Sequence, residues 1–153
     1  MKSDYNKRIE SEIGYGGMHM GQGPGIREFN RLYKELDDLY HNLALRQGLS
    51  DSASIILYAL YLLGDGCLQR DVCAASGLTK QTINSSVHKL ERAGIVELRI
   101  DQGRGTHLHL TEAGRALVKE RIRPVVEAER AAFAAMEPGA CEELLRLARL
   151  HLA

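Results

Sequence analysis

Residues 68–110 read LQRDVCAASGLTKQTINSSVHKLERAGIVELRIDQGRGTHLHL, and this stretch decides the fold. A short helix is predicted before Gly77, because glycine readily adopts the left-handed backbone conformation that ends a helix. Thr79 is a suitable N-cap for a second helix, since its hydroxyl accepts from the free amides of the first turn. Apolar residues then recur at the spacing of one buried helix face: Ile83, Val87 and Leu90. Two helices joined by so tight a turn are typical of a helix-turn-helix.

The opposite face of the second helix is polar. With the apolar stripe pointing inward, the 100° step per residue places amides, hydroxyls and basic side chains outward. Amides and hydroxyls bond to base edges, and cations meet phosphates, so this composition favours DNA binding. We predict DNA contacts for Thr79, Lys80, Gln81, Thr82, Asn84, Ser85, His88 and Lys89. An ordinary solvated helix face has a similar composition, and the helix alone does not separate the two interpretations.

Two alternating segments follow the second helix. Residues 95–100 (IVELRI) and 106–110 (THLHL) have the alternation and the β-branched content of strands. Between them, Gly103 and Gly105 flank Arg104, a pattern that predicts a hairpin tip. An exposed arginine on a hairpin beside such a helix suits insertion into a DNA minor groove. Arg104 therefore joins the predicted DNA contacts, and the whole stretch is predicted to form a winged helix-turn-helix.

The run GLTKQTINSSVHKLERAGIVELR, followed by a Gly/Arg tip and LHLTEAG, resembles the MarR family of bacterial transcription regulators. The resemblance covers the chain from about residue 25 to the end. It implies a homodimer that binds a near-palindromic DNA site, most often as a repressor. The wing departs from the family pattern, because it is shorter and because Gln102, Gly103 and Arg104 stand where the family usually has Asp-x-Arg. The arginine is present, and the aspartate is either missing or replaced by Asp101. This departure leaves the rigidity of the wing open.

The predicted class is mainly α with a small β-hairpin wing. Residues 1–24 are predicted to be a flexible N-terminal segment, and residues 25–153 a single MarR-like domain. Within that domain, the winged helix-turn-helix spans about 50–110, between dimerisation helices at 25–48 and 111–153. The flanking helices carry more apolar surface than one small core can cover. Such faces normally pack against another subunit, so the sequence predicts a homodimer.

Charge is balanced over the 153 residues, with 20 basic and 20 acidic side chains. The balance by itself does not indicate a nucleic-acid partner. Residues 68–110, however, carry six basic and four acidic side chains, so the small basic excess lies on the predicted DNA module. Three cysteines without a CxxC motif, no apolar leader and no long apolar run predict a cytoplasmic protein without disulfides or a membrane anchor.

An effector pocket is implied by the resemblance, between the first two helices and the helix that follows the wing. Tyrosines line such pockets well, because they offer an apolar ring and a hydroxyl that orients the ligand. Four tyrosines lie on those first two helices: Tyr33, Tyr40, Tyr58 and Tyr61. The prediction is a small aromatic or phenolic effector. The alternative is that these tyrosines are core residues with their hydroxyls at the surface.

The sequence contains no nucleophile–base pairing, phosphate loop or cofactor motif, so neither enzymatic activity nor a cofactor is predicted. His107 and His109 share a strand face without a third ligand, which favours a phosphate contact or simple exposure over a metal site. Cys67 lies in a glycine-rich turn, and its sensitivity to oxidation stays open. The alternative function is a winged helix that binds a protein or sequesters a small molecule without specific DNA binding.

Overall fold

A computed structural model describes residues 24–101 and 105–152. The elements follow in the order α1 (Pro24–Arg46), α2 (Asp51–Leu63), α3 (Gln69–Ser76), α4 (Lys80–Arg92), β1 (Val96–Asp101), β2 (Gly105–Leu110), α5 (Glu112–Leu117), α6 (Arg123–Ala134) and α7 (Ala140–His151). A π-helical turn, Val118–Ile122, joins α5 to α6. The predicted class, mainly α with a β-hairpin wing, is confirmed. None of the described helices is long and apolar enough to cross a membrane.

The chain divides into two compact units, Met1–Asp51 and Ser52–Ala153. In the first unit, α1 carries ion pairs one helical turn apart on its surface. Arg31 pairs with Glu28 at 2.6 Å and also with Glu35, and Lys34 pairs with Asp38 at 2.7 Å. Pairs at this spacing lie side by side on the helix surface and favour the helical conformation. Large apolar side chains nevertheless remain exposed along the helix: Ile26, Phe29, Leu32, Leu36, Leu39 and Leu45.

The core of the second unit is built around α2, which is apolar nearly all round. The largest fully buried side chains are Ile56, Leu57, Leu60, Val72, Ile83, Val87, Val96, Leu108 and Ile122. They come from α2, from both helices of the helix-turn-helix, from both strands and from the π-helical turn. Each buried aliphatic side chain of this size contributes roughly 1.5–3 kcal/mol relative to an exposed one. One core therefore holds the winged helix and the start of the helix that follows it.

Local sequence sets the helix ends as predicted. Gly77 lies at φ 66° after α3, and the Thr79 hydroxyl accepts from the Thr82 backbone amide at 3.1 Å. Thr111 caps α5 in the same way, accepting from the Gly114 amide at 3.0 Å. Gly114 is required for a different reason, because a Cβ there would lie 2.0 Å from the Ile95 carbonyl oxygen. The glycine of LTEAG therefore lets α5 pack directly against the chain that enters the wing.

The hairpin is longer than predicted, and its tip is correspondingly shorter. The antiparallel register runs from Val96 opposite Leu110 to Asp101 opposite Gly105, a pair that the sequence predicts to lie in the tip. Residues 102–104 lie outside the described residues. At the other end, the turn before α3 pairs with β2: the Gly66 amide donates to the Leu108 carbonyl, and the Leu108 amide donates to the Cys67 carbonyl, both at 2.9 Å. This pairing fixes the base of the wing to the helix-turn-helix.

Candidate nucleic-acid interface

The two faces of α4 differ as the sequence predicts. Ile83 and Val87 are each 1% exposed and Leu90 is 6% exposed, so the apolar stripe is buried. The predicted contact residues lie outward: Thr79, Lys80, Gln81, Asn84, Ser85, His88 and Lys89 are exposed, and Thr82 is half-buried. The structure thus brings these eight residues together on one helix and its N-cap. The ninth, Arg104, lies outside the described residues.

Three hydroxyls at the start of α4 also stabilise the helix. The Thr79 and Thr82 hydroxyl oxygens are 2.9 Å apart, and the Ser85 hydroxyl donates to the Thr82 carbonyl at 3.1 Å. The Ser85 oxygen, which donates its hydrogen to this carbonyl, keeps its lone pairs for an outside donor. These side chains therefore hold the helix start in place, and Ser85 presents an acceptor outward.

Two lysines and a glutamine on the same surface have no partner within the described part of the chain. Lys80, Gln81 and Lys89 form no side-chain hydrogen bond or ion pair with another described residue, and all three are exposed. His88, in contrast, lies 3.2 Å from Glu91 through its Nδ1. Unpaired ammonium groups suit phosphates, and an unpaired amide suits a base edge. The surface can therefore supply both kinds of contact that DNA recognition requires.

Sequence reasoning missed Gln69, the first residue of α3. Its Nε2 donates to the Asn84 Oδ1 across the turn, with 2.5 Å between the atoms. Helical periodicity does not reveal such a pair, because the two residues lie on different helices. Gln69 and Asn84 also line an open cleft of about 1150 Å³ between α3, α4 and the hairpin. Ile100, 82% exposed, lies at the hairpin side of this cleft.

The histidines of β2 correct one prediction. His107 Nδ1 lies 2.8 Å from the Gly66 carbonyl oxygen, so Nδ1 carries the proton and donates to it. Its Nε2 is buried and has no hydrogen-bond partner among the described residues. The predicted phosphate contact or simple exposure is therefore wrong for His107, since its ring packs on the turn before α3. His109 is half-buried beside it, 3.9 Å from Asp65. No group of three His, Cys, Asp or Glu side chains in residues 24–101 and 105–152 could hold a metal ion.

Asp65 joins the turn, the strand and the next helix. Its Oδ1 accepts from the Leu110 amide at 2.7 Å, and its Oδ2 lies 3.3 Å from Arg115. Cys67 in the same turn is half-buried, and burial raises the pKa of its thiol. Because the thiolate is the reactive form, this environment disfavours oxidation of Cys67.

The four tyrosines of the predicted pocket occupy different surroundings. Tyr58 donates its hydroxyl hydrogen to Glu129 of α6, and burial followed by this hydrogen bond raises the pKa of Tyr58 to about 12. Tyr33 stacks on Phe29 with 6.3 Å between ring centroids. Tyr33 and Tyr40 are exposed in the single chain. They belong to the first unit, whereas Tyr58 and half-buried Tyr61 belong to the second, and the pocket stays a prediction.

Comparison with known proteins supports the winged helix. Residues 47–105 match the model of the MarR family, which confirms the resemblance of the motif. Similar solved structures include MepR of S. aureus in complex with DNA, with 20% identity, a TM-score of 0.68, and coverage of 85% of this chain and 94% of that chain. A MarR family regulator from Neisseria meningitidis has 20% identity, a TM-score of 0.70, and coverage of 84% and 92%.

A third similar structure is BpsR of Bordetella bronchiseptica, whose DNA binding is regulated by 6-hydroxynicotinic acid. It has 21% identity and a TM-score of 0.63, and the match covers 89% of this chain and 98% of that chain. No curated protein sequence matches the chain. At these identities the solved structures establish a shared fold.

Proposed function

We propose that this chain, whose fold is that of the MarR family regulators, is a DNA-binding transcription regulator that binds a near-palindromic site as a homodimer and represses transcription. The observation that carries the proposal is the exposed face of α4, on which Lys80, Gln81 and Lys89 lack partners within the described part of the chain. A helix with one buried apolar stripe and a polar face that carries unpaired lysines and an unpaired amide is suited to the major groove. In this proposal α4 is the recognition helix.

Each part of the surface has a distinct role in this proposal. Lys80 and Lys89 contact phosphates, which adds affinity without sequence preference. Gln81 and Asn84 contact base edges. Arg104, at the tip of the wing, enters the adjacent minor groove, where an arginine responds to groove width. The pairing of β2 with the turn before α3 holds the wing beside the recognition helix.

Exposed leucines support the homodimer. In α7 no residue is buried, and large apolar side chains are exposed in and just after it: Leu144, Leu145, Leu147, Leu150 and Leu152. A second copy of the chain that covers this stripe removes it from water. A two-fold dimer would also place two recognition helices about 34 Å apart, one turn of duplex.

An effector would act on this dimer. BpsR binds DNA under the control of 6-hydroxynicotinic acid, an aromatic compound with a hydroxyl group. By analogy we propose a small aromatic or phenolic effector for this protein. We place its binding site near the hydrogen bond between Tyr58 and Glu129, which offers polar groups to the ligand. Such a ligand shifts DNA binding only if it prefers one spacing of the two recognition helices.

The first test is fluorescence anisotropy of the purified protein on the DNA upstream of its own gene, against scrambled duplex, over a series of salt concentrations. Specific binding at one dimer per site, with log affinity falling as log salt rises, supports the proposal. Equal weak binding to both duplexes would favour the alternative of a winged helix that serves another partner.

Charge-removal variants sharpen this test. Lys80→Ala and Lys89→Ala should each weaken binding to every duplex and reduce the salt slope by about 1, because each removes one phosphate contact. Lys119, exposed on the π-helical turn outside the winged helix, provides the matched control, and Lys119→Ala should leave the slope unchanged. Gln81→Ala should instead change which base is preferred. A uniform loss on all sequences for Gln81→Ala would contradict its base-reading role.

A further inference from the structure

Gln69 connects the first helix of the helix-turn-helix to the recognition helix through side-chain amides. Its Nε2 donates to the Asn84 Oδ1, and the bond joins residues 15 positions apart. Gln69 is half-buried at the start of α3, whereas Asn84 is exposed on the face of α4 assigned to DNA. The bond therefore holds Asn84, whose exposed side chain can meet a base, and it comes from α3, which has no base contact assigned to it.

We propose that Gln69 is a positioning residue that fixes which end of the Asn84 amide faces the DNA. The inference rests on the proposed function, because Asn84 meets a base only if α4 enters the major groove. A side-chain amide has an acceptor end and a donor end. Since Gln69 holds the Oδ1 end, the Nδ2 end of Asn84 presents its two hydrogens outward.

This orientation selects a class of base. In the major groove, guanine presents two acceptors, N7 and O6, whereas cytosine presents only the N4 donor. A side chain that offers donors therefore prefers guanine to cytosine at the position it faces. We expect guanine to be favoured over cytosine at the base pair opposite Asn84.

Gln81 provides an internal comparison on the same helix. Its amide has no partner within the described residues and is free to turn either end toward a base. A base read by Gln81 therefore depends on Gln81 alone. A change at Gln69 should alter the preference at the position of Asn84 and leave the position of Gln81 unaffected.

Three substitutions of Gln69 distinguish the effect of hydrogen-bond direction from the effects of side-chain charge and size. Gln69→Lys offers only donors and keeps the Asn84 Oδ1 engaged. Gln69→Glu offers only acceptors, so the Asn84 amide must turn and donate to it, which leaves Oδ1 to face the DNA. Gln69→Met has a similar length and offers neither a strong donor nor a strong acceptor, so it leaves Asn84 without direction.

The experiment begins with selection of preferred duplexes by the wild-type protein from a randomised pool. Asn84→Ala then identifies the base pair that Asn84 faces, as the position where the preference disappears. Affinities of the wild-type and the three Gln69 variants are measured by fluorescence anisotropy on the four duplexes that differ only at that pair. The readout is the ratio of affinities for guanine and cytosine, which a uniform effect of charge or of stability does not change.

The wild-type and Gln69→Lys proteins should both prefer guanine. Gln69→Met should reduce the ratio about fivefold, the value of roughly one directed hydrogen bond, and Gln69→Glu should reverse it. Equal ratios for the Lys and Glu variants, or a wild-type preference for cytosine, would overturn the inference while leaving specific DNA binding intact. Absence of any preferred duplex for the wild-type protein would overturn the proposed function, and this inference with it.

Discussion

The recognition helix and the C-terminal helix have comparable amphipathic sequences but differ in what covers their apolar sides. Ile83 and Val87 of α4 are each 1% exposed, whereas Leu147 and Leu150 of α7 are 49% and 61% exposed. The recognition helix therefore buries its apolar residues within one chain. The C-terminal helix satisfies them only against another surface. In the proposed function, DNA recognition would therefore be built into each subunit, and the spacing of two recognition helices would be built into the assembly.

The largest expected effect comes from a charge placed on the apolar stripe of α7. Leu147→Glu should abolish the dimer, because the buried carboxylate would have no partner, and DNA affinity should fall at least about a hundredfold as two-site binding is lost. Sedimentation velocity measures the assembly, and anisotropy measures the binding. Arg149, exposed on the opposite side of α7, supplies the control: Arg149→Glu adds an acidic group while the leucine stripe stays intact.

Circular dichroism completes that comparison, because the monomeric Leu147→Glu protein should keep a folded winged helix. If the substitution unfolded the entire chain, the two regions would not be independent in the way their burial indicates. A Leu147→Glu protein that remained dimeric would show that α7 lies outside the subunit interface.

The next effect is on stability within the chain. Leu57, fully buried on α2, packs in the core that supports the helix-turn-helix. Leu57→Ala should lower the free energy of unfolding by about 2–5 kcal/mol, because it removes buried apolar surface and leaves a cavity. Leu150→Ala, which truncates the same residue type at an exposed site, should cost a monomer much less. Urea unfolding of both variants in the Leu147→Glu background measures this difference, and equal losses would contradict it.

How much the sequence predicted depends on whether the physical cause is local. Gly77 and Thr79 set the ends of two helices through their own backbone and hydroxyl geometry, so both were predicted. The apolar spacing of Ile83, Val87 and Leu90 likewise predicted the inward face of α4. Local pattern was also sufficient to place eight candidate DNA contacts on one surface. Whether those residues contact DNA is a property of the complex and stays a prediction.

Features that depend on contacts between distant residues were not predicted. The orientation of the His107 ring is set by its hydrogen bond to the Gly66 carbonyl. The turn that contains Gly66 pairs with β2, and this pairing places the carbonyl oxygen 2.8 Å from the His107 Nδ1. The Gln69–Asn84 bond depends on how two helices pack across the turn. The alternating pattern predicted both strands but ended the hairpin one residue pair too early. The sequence assigned Gly105 to the tip, whereas its backbone pairs with Asp101.

The smallest effect concerns the hydrogen bond that joins α2 of the core to α6. Tyr58 donates to Glu129, and its pKa is raised from 10.0 to about 12, first by burial and then by this bond. A raised pKa means that the folded state favours the protonated phenol. The stabilisation is therefore complete below pH 10 and is lost as the pH rises toward 12. Because the Tyr58 hydroxyl is partly open to solvent, we expect this hydrogen bond to stabilise the fold by about 1 kcal/mol, which is less than the full pKa shift would give.

Tyr58→Phe should lower the free energy of unfolding by that amount at neutral pH. Between pH 10 and pH 12 the wild type should lose stability as Tyr58 ionises, and the variant should lose less. Urea unfolding at pH 8, 10 and 11.5 measures the difference between the two proteins, which should shrink as the pH rises. Tyr61→Phe on the same helix controls for the removal of one phenol, because the Tyr61 side chain forms no hydrogen bond with another described residue. A constant, non-zero difference between wild type and Tyr58→Phe at all three values would contradict a stabilisation that requires the phenolic proton. No difference at any of the three values would mean that the link between the core and α6 consists of ring packing, which phenylalanine retains.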